Sequence, residues 1–242
     1  MERKNFLKSL MVGAVSSSVL VQACQKESAD ASTGSATTGT TTSSSGTSSS
    51  CTVAPTETEG PFPTKVPASY IRSDITDGRT GYKMTVNIVI TNSNNSCNAL
   101  ANAMVDIWHC DSEGNYSEYG GSGMQATNYT TVHFLRGRQT TNSSGAVAFT
   151  SIFPGWYSGR ATHIHVHVYN SSGTSLKVTQ IAFPEGTGTA LSIVNGYNKG
   201  MTGYITNAND NVFSDGYSTE LASVSGNKTD GFVLNITLAV PA

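Results

Sequence analysis

Charged residues are scarce in this chain: they make up 12% of its 242 residues, against about 25% in typical globular proteins. The formal net charge at pH 7 is −2, and lysine and arginine are not concentrated in any stretch after residue 8. Without a basic patch, a nucleic-acid partner is not expected. An acidic tail that would attract a basic partner is lacking as well. Glycine, serine, threonine and asparagine replace the charge, which is typical of an extracellular β-rich protein with many turns.

Cysteine is also sparse, with four residues in all. No two of them form a Cys-x-x-Cys pair, so a structural zinc site is not indicated. An oxidising compartment would allow Cys51, Cys97 and Cys110 to form one disulfide, with one thiol left over. Cys97 and Cys110 flank one predicted strand and could pair, and a Cys51–Cys97 bond is equally open.

The apolar stretch near the start of the chain is too short for a membrane span, which needs about 20 residues. It covers Ser9–Ala23, 15 residues interrupted by serines, and follows a cationic segment, as in a signal peptide. Val21-Gln22-Ala23-Cys24 resembles a bacterial lipobox. We therefore predict a lipoprotein-type signal over residues 1–24, with the lipid on Cys24 as the membrane contact. The alternative is general export with Cys24 as an incidental thiol.

The predicted location is outside the cytoplasm, on a membrane facing the periplasm or the surface of a bacterium. The segment around Arg3 also loosely resembles a twin-arginine export signal, but Lys4 stands where the second arginine belongs. The export route therefore stays open between the two pathways.

Residues 25–50 are almost entirely small and polar. Such a tract cannot bury enough apolar surface to offset its conformational entropy, so we expect a flexible linker. Its r.m.s. span would be roughly 25–30 Å. The remaining residues, 51–242, are then predicted to form one domain.

Period-2 alternation in several short segments predicts β-strands with one apolar face. These segments are Lys83–Asn92, Ala103–His109, Ala146–Ile152, Thr162–Tyr169, Leu176–Phe183 and Phe232–Val240. A short helix is predicted only in Thr189–Asn198. Six or more strands without helical crossovers favour an all-β fold, an antiparallel β-sandwich of the prealbumin or immunoglobulin type with little helix.

One strand carries three histidines at alternate positions: His163, His165 and His167. Alternate residues of a strand share a face, so these side chains project together while Ile164 and Val166 enter the core. Two neutral imidazoles at positions i and i+2 can hold one metal ion from a rigid strand. Taken alone, the pattern is equally compatible with a solvated face on which histidines occur by chance.

Three further motifs accompany the histidines, and a fourth lies near the start of the domain. They are Pro55–Phe62, Val105–Ser117, Phe134–Asn142 and Phe153–Gly159, the last directly before Arg160. Over about residues 55–183 this ordered set resembles the intradiol ring-cleavage dioxygenases, the family of the catechol, protocatechuate and hydroxyquinol dioxygenases. It looks most similar to the secreted, single-domain branch of that family.

The resemblance implies a non-haem Fe(III) ion held by Tyr116, Tyr157, His163 and His165, with Arg160 as the active-site arginine. Phenolate is a hard anionic donor, and imidazole suits iron as well. A catecholic substrate and O2 would be the partners. By the same resemblance, Tyr157 leaves the iron and takes one substrate proton as a general base, and Arg160 stabilises charge developing on the ring. The product would be a muconate-type diacid.

Other polar residues receive plainer interpretations. We expect His109 to be a polar residue at a strand end and His167 to support the ligands or face solvent. Arg136 and Arg138 could position a substrate or form ion pairs with Asp106 or Asp111.

Two departures from the family pattern bear on the site. Only Ser158 and Gly159 separate Tyr157 from Arg160, so the pocket should be shallower than in the better-known soluble enzymes. The helical N-terminal dimerisation segment of catechol dioxygenases is replaced by the linker, so the oligomeric state stays open. Two alternatives remain: a non-catalytic β-sandwich binding module, and a copper or zinc protein that uses the three histidines of one strand.

Overall fold

The computed structural model describes residues 51–242. The signal peptide and linker predicted for residues 1–50, including lipidation of Cys24, lie outside the described residues. No helix within the described part combines the length and apolar character needed to cross a bilayer. The strands are β1 Lys83–Asn92, β2 Asn98–Ala99, β3 Met104–Trp108, β4 Arg136–Thr140, β5 Ala146–Ile152, β6 His163–Tyr169, β7 Ser175–Ala182, β8 Ser223–Asn227 and β9 Gly231–Val240; the α-helix is α1 Ala190–Val194; 3₁₀ turns lie at Pro67–Ser69, Ser93–Asn95, Tyr197–Lys199, Asn207–Asn209 and Val212–Asp215.

The strands form two sheets. One has the order β2-β1-β9-β8, with β5 also paired to β1, and the other has the order β4-β3-β6-β7. All pairs in the second sheet are antiparallel. In the first sheet β1 and β9 run parallel, from Met84 opposite Phe232 to Asn92 opposite Val240. The predicted all-β sandwich is confirmed, and the parallel pair makes one of its sheets mixed.

The core lies between the two sheets and follows the alternation of the strands. In β1 the side chains of Met84, Val86, Ile88 and Ile90 are fully buried, and their neighbours in sequence are partly exposed. The inward residues of β6 and β9 belong to the same hydrophobic cluster. Each fully buried side chain of this size contributes about 1.5–3 kcal/mol relative to exposure. This repeated burial on one face determines which face of each strand turns inward.

Predicted and observed elements agree most closely where the alternation is long. β1 has the predicted bounds, and β6 begins one residue later than predicted. The helix α1 lies within the predicted segment, and the Thr189 side chain accepts a hydrogen bond from the Ser192 amide at its N-terminus. Strands β4 and β8 were not predicted, because charged and small residues interrupt their alternation.

Strand β6 is buried on both faces. The inward face packs in the core, and the histidine face is covered by a second cluster that contains Phe62, Trp108 and Tyr116. These residues come from the segment before β1, from β3 and from the loop after it. β6 is also an inner strand of its sheet, between β3 and β7. The three histidines therefore lie inside the protein, which excludes a solvated face.

The disulfide joins Cys51 to Cys97, whose Cα atoms are 5.7 Å apart. Of the two pairings that the sequence left open, this is the one formed. Cys110 is a free, buried thiol, and burial raises its pKa far above the ordinary value. The bond ties the start of the domain to the turn that follows β1.

Removing this disulfide is expected to destabilise the domain without unfolding it. The bond closes a loop with a sequence separation of 46, and loops of this size correspond to about 2–4 kcal/mol. We expect the double variant Cys51→Ala, Cys97→Ala to show this loss in the free energy of unfolding by urea. Cys110→Ala, which leaves the disulfide intact, is the control for loss of a cysteine. An unchanged urea midpoint in the double variant would contradict the prediction.

Candidate metal centre and adjoining pocket

The four proposed ligands come from three places in the chain. His163 and His165 lie on β6, Tyr116 lies in the loop between β3 and β4, and Tyr157 lies in the loop between β5 and β6. The structure brings them together. Nε2 of His163 is 3.1 Å from Nε2 of His165 and 3.2 Å from the Tyr116 hydroxyl. The Tyr157 ring centroid is 5.7 Å from the ring centroids of both Tyr116 and His163.

The orientation of the two imidazoles is held by their surroundings. Nδ1 of His163 donates to the Ala161 carbonyl at 2.7 Å, so its Nε2 carries the lone pair that faces the cluster. The His165 ring stacks on Trp108, with centroids 4.9 Å apart and an interplanar angle of 3°. On its other side is Gly60, with φ +70, where a Cβ atom would come within 2.9 Å of His165 Cε1. Glycine is needed there both for its conformation and for the close approach.

Burial keeps all four side chains neutral in the absence of a cation. It lowers the pKa of His163 and His165 well below the ordinary histidine value, and nearby Arg160 lowers both further. Burial raises the pKa of Tyr116 well above its usual value. It also raises the pKa of Tyr157, against the opposing effect of Arg160. Neutral imidazoles are ready to ligate a metal, and a phenol ionises in such a place when a bound cation compensates its charge.

This donor set fits a ferric ion. The Nε2 atoms of His163 and His165 and the Tyr116 hydroxyl lie together, and the Tyr157 ring packs beside them. Imidazole and phenol are both found as iron ligands in proteins. Within residues 51–242, no group of three or more histidine, cysteine, aspartate or glutamate side chains is placed to hold a metal. His167 bonds instead to Ser175, Tyr169 and Glu59. This gives no support to the alternative of a copper or zinc site built from the three histidines.

Arg160 is buried beside the cluster and bound on two sides. Its Nε donates to both carboxylate oxygens of Asp210, at 2.9 and 2.8 Å, and its Nη2 donates to Gln180 Oε1 at 2.6 Å. Nη1 lies 3.4 Å from His163 Nε2. Asp210 also accepts from the Ala161 amide. The guanidinium is therefore held in one orientation, with Nη1 beside His163 Nε2.

Sequence reasoning missed both partners of Arg160. Gln180 lies opposite His165 in the register of β6 and β7, so a correct strand pairing would have pointed to it. Asp210 lies 50 residues after Arg160, at the end of a 3₁₀ turn in an irregular region. No local pattern in the sequence marks it.

The remaining candidates have structural roles. Both ring nitrogens of His109 are bonded, to the Cys110 carbonyl and to Ser151, and burial lowers its pKa to about 4. Arg138 pairs with Asp106 at 2.5 Å. Arg136 is buried and bonds to the Ser117 carbonyl at 2.7 Å, among other partners. These ion pairs and hydrogen bonds favour the structural interpretation of the two arginines.

A cavity of about 380 Å³ adjoins the cluster at Tyr157 and Arg160. Pro61, Met124 and Val212 contribute its apolar walls. It opens beside Ser158 and Gly159, both exposed, as expected from the short connection between Tyr157 and Arg160. A larger cavity of about 580 Å³ lies near α1. None of the four proposed ligands lines the larger cavity, so the smaller one is the candidate substrate pocket.

Comparison with known proteins identifies the family to which this chain belongs. Residues 63–234 match the family model for dioxygenases. The chain belongs to the intradiol ring-cleavage dioxygenases. No curated protein matches it by sequence. This family member is similar to the solved intradiol ring-cleavage dioxygenase from Tetranychus urticae, with 28% identity and a TM-score of 0.69, over 79% of this chain and 95% of that one.

More distant structures share the fold. The dioxygenase domain of a carbohydrate-binding fusion protein from Streptomyces sp. SirexAA-E is 23% identical, with a TM-score of 0.56, over 79% of this chain and 99% of that one. The 3-chlorocatechol 1,2-dioxygenase of Rhodococcus opacus 1CP is 16% identical, with a TM-score of 0.53, over 78% of this chain and 73% of that one. The fold is thus common to relatives that differ widely in sequence.

Two buried glutamates near Arg160 should make stability depend on pH. Burial raises the pKa of Glu57 to about 7, and Glu220 and Asp215 raise it further while Arg160 opposes them. Burial likewise raises the pKa of Glu220 to about 7. A carboxyl with a raised pKa binds its proton more tightly in the folded chain, so stability is lost as pH rises from about 4.5 to about 7.

Glu57→Gln is expected to flatten this dependence. Its amide keeps a donor beside Asp215 and does not titrate. Tm measured between pH 4.5 and 8 should fall less in the variant than in the unmodified chain, by a few degrees. Parallel Tm curves for the two proteins would contradict the prediction.

Proposed function

We propose that this chain is a non-haem Fe(III) dioxygenase that cleaves a catechol-type ring between its two hydroxyl-bearing carbons. One observation carries the proposal. His163 Nε2 lies 3.2 Å from Tyr116 Oη and 3.1 Å from His165 Nε2, so it is the neighbour that these two side chains share. Tyr157 and Arg160 stand beside them at the edge of a cavity. Family membership supports the same reaction class.

Tyr116, Tyr157, His163 and His165 would hold the iron. When bound, Fe(III) acts as a Lewis acid that draws charge from the substrate oxygens and makes the ring reactive towards O2. The protein residues do the remaining work of binding, orientation and proton transfer.

The two tyrosines differ in access, and this difference assigns their roles. Tyr116 is fully buried under Phe62, with ring centroids 4.8 Å apart, so it stays in place. Tyr157 is partly exposed and lines the cavity, so it can reach a substrate hydroxyl. We assign to its phenolic oxygen the acceptance of one substrate proton. Because burial raises the pKa of Tyr157, this oxygen holds the proton strongly.

Arg160 supplies positive charge beside the ring. Asp210 and Gln180 hold the guanidinium on two sides, so stabilising a developing negative charge requires no reorganisation. A substrate bound against Pro61, Met124 and Val212 would displace water from the cavity, and the lower local dielectric constant would strengthen this interaction. In the overall reaction the bond between the two hydroxyl-bearing carbons breaks, and both atoms of O2 enter the product. Each of those carbons becomes a carboxyl group of a muconate-type diacid.

A non-catalytic binding module remains the alternative from another class. A binding module does not require one buried and one partly exposed tyrosine to meet two buried histidines beside an arginine. Without a ligand, such a cluster would lower the stability of the fold, because polar groups lose hydration when they are buried. The dioxygenase is therefore the function that the site supports best.

An anaerobic titration tests the proposal. The iron-loaded protein should have a visible charge-transfer band from tyrosinate to Fe(III). We expect the band to shift to longer wavelength on addition of catechol, and to bleach when oxygen is admitted as the ring-opened diacid forms. Absence of a shift with catechol, hydroxyquinol and alkylcatechols alike would favour the binding module.

We also propose that the enzyme acts outside the cytoplasm, anchored through Cys24. The Cys51–Cys97 disulfide supports this, because such bonds persist in oxidising compartments. Metabolic labelling with radioactive palmitate in a bacterial host should mark the chain and fail to mark Cys24→Ser. Equal labelling of the unmodified chain and Cys24→Ser would contradict lipidation of Cys24.

A further inference from the structure

The walls of the substrate pocket are nearly free of charge. Pro61, Met124 and Val212 are apolar, and Thr58 and Ser158 present hydroxyl groups. Arg160 is the one charged residue among those that line the cavity. Met124 is 71% exposed, so a bound molecule could cover it and remove apolar surface from water. The cavity therefore offers contact for an apolar group.

The charge of Arg160 is already balanced. Asp210 is completely buried and binds Arg160 Nε through both carboxylate oxygens, and the ion pair measures 2.8 Å. Nη2 is bound to Gln180. Nη1 lies beside His163 Nε2, at 3.4 Å. The pair leaves little net positive charge to attract an anionic substituent of a substrate.

Among the residues that the structure describes, no lysine and no second arginine lines the pocket beside this pair. The arginines elsewhere in this half of the sandwich are engaged: Arg138 with Asp106, Arg79 with Asp111, and Arg136 with Glu118 at 3.5 Å. A substrate carboxylate entering the pocket would lose its hydration and meet no unpaired cation among the lining residues, which costs binding free energy.

We propose that the site selects uncharged catechols with an apolar ring substituent and discriminates against catechols that carry a carboxylate. This inference rests on the proposed function and specifies its substrate class. Each methylene group that packs against an apolar wall should raise kcat/KM by about 10-fold. The free energy gained when the group leaves water also stabilises the transition state. A carboxylate in the same position is disfavoured because it would lose its hydration and meet only Arg160, whose charge Asp210 already balances.

The test compares kcat/KM for catechol, 4-ethylcatechol and 3,4-dihydroxybenzoate with the iron-loaded full chain. We expect the value for 4-ethylcatechol to exceed that for 3,4-dihydroxybenzoate by roughly 100-fold or more. Anaerobic Kd values from the shift of the visible band should rank the three compounds in the same order. Cleavage of 3,4-dihydroxybenzoate at least as efficient as that of 4-ethylcatechol would overturn the inference and leave the proposed function standing. If no diphenol is cleaved, both are overturned.

A variant that introduces a positive charge tests whether the selectivity has an electrostatic cause. Met124→Lys places a free cation at the exposed rim of the pocket, where folding should tolerate it. The ratio of kcat/KM for 3,4-dihydroxybenzoate over catechol should rise about 10-fold, with catechol as the reference that lacks a substituent. Ile71→Lys adds the same charge at a residue that is 74% exposed and does not line the cavity, and should leave the ratio unchanged. An equal response of the two variants, or no rise in Met124→Lys, would refute an electrostatic origin of the selectivity.

Asp210→Asn is a second variant that tests the effect of pocket charge on the ratio of kcat/KM for 3,4-dihydroxybenzoate over catechol. It removes the carboxylate that balances Arg160 and leaves the pocket one unit more positive. The ratio should again rise. A fall in the ratio would contradict the proposed balance of charge.

Discussion

His163→Gln is expected to lose the iron and with it the visible band and the activity. His163 Nε2 is the atom shared by the two short contacts of the cluster, with His165 and with Tyr116. Even groups that only orient metal ligands cost about 10–100-fold in metal affinity or activity when they are removed. Loss of a ligand should cost no less, so kcat/KM with catechol should fall at least about 100-fold. Iron content by elemental analysis and the visible spectrum are the direct measurements.

His167→Gln is the matched control on the same strand. His167 also belongs to β6 and is buried, but its ring bonds to Ser175, Tyr169 and Glu59 rather than to the cluster. We expect this variant to keep its iron and its visible band. Equal iron loss in the two variants would show that the strand, and not the side chain at position 163, determines metal binding.

Arg160→Lys is expected to lower kcat/KM by about 100- to 1,000-fold while the protein keeps its iron. Removal of one oriented donor that stabilises developing charge has an effect of this size in other enzymes. Lysine is a point charge without the planar fork. It cannot bond Asp210 and Gln180 and also present a third donor beside His163, as the guanidinium does. The visible band should persist because Arg160 is not a proposed ligand.

Arg138→Lys tests whether any arginine in the sheet has this effect. Arg138 also binds a carboxylate through two nitrogens, that of Asp106, but on β4 and away from the cavity lining. Its kcat/KM should stay within a few-fold of the unmodified chain. Thermal unfolding of both variants separates an effect on catalysis from an effect on folding. Activity of Arg160→Lys within a few-fold of the unmodified chain would remove Arg160 from the mechanism.

Strand periodicity was the most reliable source of prediction. The alternation of Lys83–Asn92 predicted β1 with its observed bounds and its buried face. The same rule placed His163 and His165 on one face of β6, and the structure brings their Nε2 atoms to 3.1 Å. Both results follow from the local geometry of an extended chain, in which side chains at i and i+2 point the same way.

Predictions failed where the deciding contacts are distant in sequence. The parallel pairing of β1 with β9 joins segments that are about 150 residues apart and leaves no trace in either strand alone. The sequence left the pairing open between Cys51–Cys97 and Cys97–Cys110, and the position of residue 51 next to the turn after β1 decided it. Asp210 binds Arg160 from an irregular region. Such regions lack a periodic sequence pattern, so this contact could not be predicted.

The sequence by itself determined the all-β class, the shared face of the histidines and, through four ordered motifs, the family. Periodic burial and covalent order along the chain suffice for these. The tertiary structure alone decided that the histidine face is buried, that Tyr116 and Tyr157 meet it, and that Asp210 balances Arg160. Those outcomes depend on how loops and sheets pack, and packing is decided by the summed contacts of residues far apart in the chain.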